Sequence, residues 1–208
     1  MDRSKEKRLG EGRAGEQRAP ASERAGKRRS HSSRSSTQDS PVYQLFLMRH
    51  GIAEDRGSSA ASEDAARQLT EKGKQKLQQI ASALHGLDFE VDWIVTSPLV
   101  RAAQTAEVIA AALPAPVPVD SCAALRPGGS PEDVLSFLEQ KSDRRKVLLV
   151  GHEPDLSYLA ARLIGAGRQA NLAFKKGGCC LIECEQSPGQ SPGQLVWWLT
   201  PRLLRARK

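Results

Sequence analysis

The sequence lacks an apolar stretch near the roughly 20 residues that a membrane-spanning helix needs, so we expect no membrane association. It has four cysteines among 208 residues, and none has the C-x-x-C spacing of a zinc or redox pair. Cys179 and Cys180 lie in the apolar run of residues 177–182, where buried strand thiols are the ordinary interpretation. We therefore expect no disulfide and no metal site, and a reducing, cytoplasmic location.

Residues 1–40 lack large apolar side chains except Met1 and Leu9. A segment this polar cannot bury enough surface to offset its ordering entropy, which predicts a disordered basic tail. It has no apolar core of a secretion signal, and its acidic residues argue against a transit peptide. Lys27–Arg29 suggests weak contact with polyanions, and a simple solvated tail is the alternative.

Positive charge is concentrated at the two ends of the chain. The net charge is +7 overall, +5 in residues 1–40 and +4 in residues 202–208, which leaves −2 for residues 41–201. The sequence therefore predicts one folded domain over 41–201, which is not expected to bind nucleic acid, and a basic C-terminal tail over 202–208.

Apolar runs alternate with segments of helical periodicity along residues 41–201. Five runs predict strands, at residues 42–48, 93–96, 146–150, 178–184 and 194–200, and Pro116–Val119 predicts an edge strand. Helices are predicted from Thr70 to His85, and after Ser97–Pro98 and Ser130–Pro131, each read as an N-cap followed by proline. A further helix starts at Pro154. This alternation predicts a three-layer α/β/α sandwich with a mostly parallel central sheet.

Two histidines each follow an apolar strand and adjoin a glycine. Arg49-His50-Gly51 ends the first run, and Gly151-His152 ends the run of residues 146–150. Ligands of open α/β sheets bind beyond the carboxyl ends of the strands. Arg101 stands in the first turn of a predicted helix, an odd place for a cation unless an anion binds there. The sequence therefore predicts an anion site.

Three blocks of sequence resemble the signatures of the histidine phosphatase superfamily, which has the phosphoglycerate-mutase-like fold. The blocks are Leu47–Gly51, Thr96–Ala106 and Val150–Asp155, in the order and spacing of that superfamily. The short middle segment and the block Gly151–Asp155 are most similar to its SixA-type phosphohistidine phosphatases. The resemblance covers about residues 43–200.

The resemblance implies a covalent mechanism. His50 would attack phosphorus and become phosphohistidine, while Arg49, Arg101 and His152 would hold the phosphoryl oxygens. Since the arginines supply the positive charge, no metal or cofactor is implied.

The general acid departs from the mutase pattern, because the segment Asp120–Pro127 has no glutamate. Glu153 occupies the position that acid phosphatases of the superfamily use, and a carboxylate at a helix start is the alternative interpretation. A weak acid suits an imidazole leaving group, whose conjugate acid has a pKa near 6.5. This favours phosphohistidine over sugar phosphates.

The predicted substrate is phosphohistidine on a protein, such as a phosphorelay component. The alternatives are a small-molecule phosphomonoesterase and a catalytically silent module that binds phosphate or phosphoproteins; a mutase is less favoured. A tyrosine-phosphatase mechanism is excluded, since no cysteine is followed by arginine six positions later.

Overall fold

The computed structural model describes residues 42–55, 61–141, 143–167 and 169–206. The tail predicted over residues 1–40 lies outside them. Within the described ranges, six strands form one sheet: β1 Tyr43–Arg49, β2 Trp93–Thr96, β3 Val119–Ser121, β4 Lys146–Gly151, β5 Cys179–Cys184 and β6 Gln194–Leu199. The α-helices are α1 Ala61–Ala66, α2 Glu71–His85, α3 Val100–Ala110, α4 Pro131–Glu139, α5 Asp155–Leu163 and α6 Pro201–Ala206, and Ala123–Leu125 form one 3-10 turn.

The strand order is β3-β2-β4-β1-β5-β6. β3, β2, β4 and β1 are parallel to one another, whereas β5 is antiparallel to both β1 and β6. The mostly parallel sheet predicted from the alternation of strands and helices is confirmed. Its parallel part places the carboxyl ends of β1, β2 and β4 at one edge.

Alternate residues of β1 face two separate hydrophobic cores. Leu45 and Leu47 pack with α4 and α5, whereas Phe46 and Met48 pack with α2, α3 and α6. All four side chains are fully buried. Helices therefore cover both faces of the sheet, which confirms the three-layer sandwich.

Two of the predicted helix starts are capped by a side chain, and the cap predicted at Ser130 is confirmed. The Thr70 hydroxyl accepts a hydrogen bond from the Gly73 amide at the start of α2, and the Ser130 hydroxyl accepts one from the Asp133 amide at the start of α4. The cap predicted at Ser97 is wrong, because α3 begins only at Val100. The Ser97 hydroxyl instead contacts the His152 ring.

Two predicted boundaries are also corrected. The edge strand runs over Val119–Ser121 rather than Pro116–Val119; proline has no amide hydrogen, and Pro118 joins the sheet only by accepting from the Ile94 amide. The basic tail predicted over 202–208 is in part a helix, since α6 runs to Ala206. Leu204 is 0% exposed and packs in the core that contains Phe46 and Met48. The sequence could not predict this helix, because a single buried leucine among arginines shows no helical periodicity.

All four cysteines are free and buried, which agrees with the expected structural thiols. Burial raises the pKa of Cys180 above its ordinary value and that of Cys184 to about 11. Among the helices of the described part of the chain, none is long and apolar enough to cross a membrane.

Candidate active site

The carboxyl ends of β1 and β4 hold the two strand-end histidines side by side. The His50 amide donates to the Gly151 carbonyl at 3.1 Å, and so extends the pairing of β1 with β4. The ring centroids of His50 and His152 are 5.0 Å apart. Ser97, which follows β2, lies at the same edge, where its backbone amide donates a hydrogen bond to the Val150 carbonyl at 2.9 Å.

The His50 ring is 6% exposed, and its hydrogen bonding defines its tautomer. Nδ1 lies 2.7 Å from the Gly51 carbonyl oxygen. Because a carbonyl can only accept, Nδ1 must carry the proton, which leaves Nε2 with its lone pair. Burial, and then the charge of His152, lower the pKa of His50 to about 3. The ring is therefore a neutral imidazole at physiological pH, the form that acts as a nucleophile.

His152 is 3% exposed and uses Nε2 to contact the Ser97 hydroxyl at 2.9 Å. Its Nδ1 is buried and has no hydrogen-bond partner among the described residues. Burial, and then the charge of Arg101, lower the pKa of His152 to about 3. A buried polar nitrogen without a partner costs about 1–3 kcal/mol, a cost that a bound oxyanion would remove.

Arg49 ends β1, where its side chain is anchored and half-buried. Its Nη1 donates to the Phe174 carbonyl at 2.7 Å, while its Nε is buried without a partner in the described part of the structure. Burial lowers the pKa of Arg49, and the carboxylate of Glu153 opposes that shift. Phe174 is held in turn by stacking on Trp198, with ring centroids 3.9 Å apart.

Arg101 lies in the first turn of α3 and is 2% exposed. Its Nη1 donates to the backbone carbonyl of Asp64 at 2.7 Å, and its Nη2 is 3.2 Å from Asp64 Oδ2. The charge of Arg101 lowers the pKa values of both His50 and His152, as does that of Arg49. Both arginines therefore act electrostatically on the two histidines at the carboxyl ends of β1 and β4.

Thr105, in α3, links the turn after His50 to the first turn of that helix. Its hydroxyl accepts from the Gly51 amide at 3.0 Å and donates to the Arg101 carbonyl at 2.6 Å. Thr105 is completely buried. One side chain therefore fixes the spacing between the turn after His50 and the helix that carries Arg101.

Glu153 lies just before α5 and is held by two donors. The Ser157 hydroxyl is 2.8 Å from each carboxylate oxygen, and the Phe174 amide donates to Oε1. These contacts fit the alternative in which the carboxylate fixes the helix start. The role of Glu153 as a general acid stays a prediction.

The sequence missed four contributors to this site: Asp64, Ser97, Thr105 and the backbone of Phe174. Ser97 and Thr105 lie within the block Thr96–Ala106, but the residues they contact are distant in sequence. Nothing in the sequence marks the Phe174 carbonyl, since any residue has one. Within the described ranges, no three His, Cys, Asp or Glu side chains are grouped so that they could hold a metal ion.

Comparison with known proteins identifies a matching family and similar relatives. The histidine phosphatase superfamily (branch 1) matches residues 45–126. Phosphohistidine phosphatase SixA of Escherichia coli (strain K12) is 34% identical over 167 residues, covering 79% of this chain and 98% of SixA. An uncharacterised protein of Picosynechococcus is 40% identical over 137 residues, covering 65% of this chain and 81% of that protein.

A solved structure of the protein histidine phosphatase SixA complexed with tungstate has the same fold. It matches with a TM-score of 0.65 at 27% identity, and the match covers 76% of this chain and 97% of SixA. The residues matched by the family include Arg49, His50 and Arg101.

Proposed function

This chain belongs to the histidine phosphatase superfamily and is a phosphatase, and we propose that it dephosphorylates phosphohistidine in a partner protein through an intermediate on His50. The observation that carries the proposal is the His50 ring, whose Nδ1 is occupied by the Gly51 carbonyl. The lone pair on Nε2 is therefore the nucleophile, and the lowered pKa keeps it unprotonated.

The reaction takes two displacements at phosphorus. In the first, the substrate's imidazole ring takes a proton from solvent on the nitrogen that does not carry phosphorus. His50 Nε2 then forms a bond to phosphorus while the bond to that ring breaks, and the ring leaves as neutral imidazole. In the second, water attacks phosphorus, the bond to Nε2 breaks, and the water proton leaves with the phosphate or to solvent. His50 returns to its neutral form, so one inorganic phosphate is released per cycle.

Arg49, Arg101 and His152 hold the phosphoryl oxygens during both steps. Arg49 Nε and His152 Nδ1, which are buried without a partner among the residues that the structure describes, are suited to that role. If the Ser97 hydroxyl donates to His152 Nε2, the proton of the neutral ring lies on Nδ1, where an oxyanion can accept it. Donors that are already in place when charge develops on the oxygens lower the barrier without reorganisation.

The contacts of Asp120, the acidic residue of the segment Asp120–Pro127, favour a nitrogen leaving group. Asp120, in the segment where mutases of the superfamily have a glutamate, binds Trp93 Nε1 at 2.9 Å and pairs with Lys141. Hydrogen bonding to Lys141 lowers the pKa of Asp120, so this carboxyl is not poised to donate a proton. An alkoxide leaving group needs a strong acid, whereas imidazole, with a conjugate-acid pKa near 6.5, does not. The SixA relative is named a phosphohistidine phosphatase, which supports the same choice.

The test compares kcat/KM of the full chain on a phosphohistidine protein and on a phosphorylated sugar. We expect the protein substrate to give the higher value, and a higher value for the sugar would overturn the proposed substrate. His50→Ala, which cannot form the intermediate, should retain a phosphorylated partner in a pull-down and release it when free phosphohistidine is added in excess.

A further inference from the structure

Asp64 joins the candidate site to a second arginine. Its Oδ2 is 3.2 Å from Arg101 Nη2, and its Oδ1 is 2.8 Å from Arg67 Nη2 and 3.0 Å from Arg67 Nε. The Asp64 side chain is 20% exposed, and that of Arg101 is 3% exposed. One carboxylate therefore lies between two guanidinium groups at the edge of the pocket.

The position of Arg101 does not depend on this carboxylate alone. Arg101 Nη1 donates to the backbone carbonyl of Asp64, a contact that any residue at position 64 can make. A guanidinium has five N–H donors, and an oxyanion in the pocket would compete with the Asp64 carboxylate for them. What only the acidic side chain supplies is negative charge beside Arg101.

That charge also reaches the second histidine. The Asp64 carboxylate raises the pKa of His152, against the larger lowering by burial and by Arg101. Arg67 remains paired with Oδ1 of Asp64 when a ligand competes for Arg101, so the Asp64 carboxylate stays beside the pocket. A phosphate that enters the pocket therefore meets a fixed negative charge next to one of its binding cations.

We propose that Asp64 determines how tightly the pocket holds phosphate: it neutralises Arg101 in the empty site and weakens the binding of free inorganic phosphate, so that product leaves. This inference rests on the proposed function, in which Arg101 binds the phosphoryl group. Because the opposing charge acts on any oxyanion beside Arg101, its removal should strengthen phosphate binding rather than weaken it. A residue that merely positioned Arg101 would have the opposite effect.

The experiment measures the dissociation constant of inorganic phosphate by titration calorimetry on the full chain. Asp64→Asn removes the charge and keeps the size and an acceptor oxygen, and we expect phosphate to bind about tenfold more tightly. Glu90→Gln is the matched control, because Glu90 pairs with Lys146 at the opposite end of the sheet. It should leave phosphate binding unchanged.

Unchanged or weaker phosphate binding by a folded Asp64→Asn variant would overturn the inference. If that variant does not fold, Asp64→Ser provides the same test. Arg101→Ala separates this failure from that of the proposed function. Loss of phosphate binding in Arg101→Ala, with no effect of Asp64→Asn, removes only the role of Asp64; normal binding by Arg101→Ala removes the proposed pocket as well.

Discussion

Acidification tests the state of the nucleophile, because burial and neighbouring positive charge lower the pKa of His50 to about 3. At pH 5, a histidine with the ordinary pKa of about 6.5 would be only about 3% neutral, a roughly thirtyfold loss of nucleophile. With the lowered pKa, about 99% of His50 stays neutral at pH 5. Nitrogen NMR of the ring, assigned with His50→Asn, should show an unprotonated Nε2 and a protonated Nδ1 from about pH 8 down to pH 5. A titration of this ring centred near pH 6.5 would show that burial and the neighbouring charges do not lower the pKa of His50.

The same lowered pKa has a consequence for stability. The unfolded chain takes up a proton at an ordinary pKa near 6.5, whereas folded His50 does so only near 3, so the unfolded state binds more protons in between. The free energy of unfolding should therefore fall as the pH drops below about 6.5, by up to ~1.4 kcal/mol per pH unit for one such group. Urea unfolding of the parent and of His50→Asn at pH 7 and 5 measures this. An equal pH dependence in both proteins would contradict it.

Three substitutions test other parts of the site. Arg101→Ala should lower kcat about a hundredfold, or ~3 kcal/mol, whereas Arg162→Ala, which breaks an exposed pair, should not; a change within threefold for Arg101→Ala contradicts its role. Thr105→Val should lower the free energy of unfolding by about 1–3 kcal/mol in urea, because the buried Gly51 amide loses its acceptor. Glu153→Gln should keep kcat/KM on phosphohistidine within about threefold, since imidazole leaves without a strong acid; a loss of about 10²-fold or more would make Glu153 the general acid.

The sheet and the strand-end residues could be predicted because their signals are local. β1 and β4 are apolar runs that end in polar residues, and parallel strands bring such ends together whatever the loops do. The apolar residues of α2 recur with the helical period, which predicts the buried face of that helix. Leu77 and Leu84 are buried as expected.

The parts that were missed depend on contacts between distant residues. Ser97 followed by proline has the pattern of a helix cap, yet its hydroxyl contacts His152, 55 residues later in the chain. Asp64 and Arg101 are 37 residues apart, and no local pattern pairs them. Leu204 is buried by the packing of α6 on α2. The sequence of residues 202–208 could not predict that contact, because most of those residues are basic.

Covalent labelling of His50 tests the central claim most directly. The full chain is incubated with a radiolabelled phosphohistidine protein, quenched during turnover and mapped by peptide. His85→Asn is the matched control, since His85 lies at the end of α2 and contacts the Ala112 carbonyl rather than the pocket. We expect phosphate on His50 in the parent and in His85→Asn, and none in His50→Asn. Turnover with no label on His50, or with label retained in His50→Asn, would contradict it.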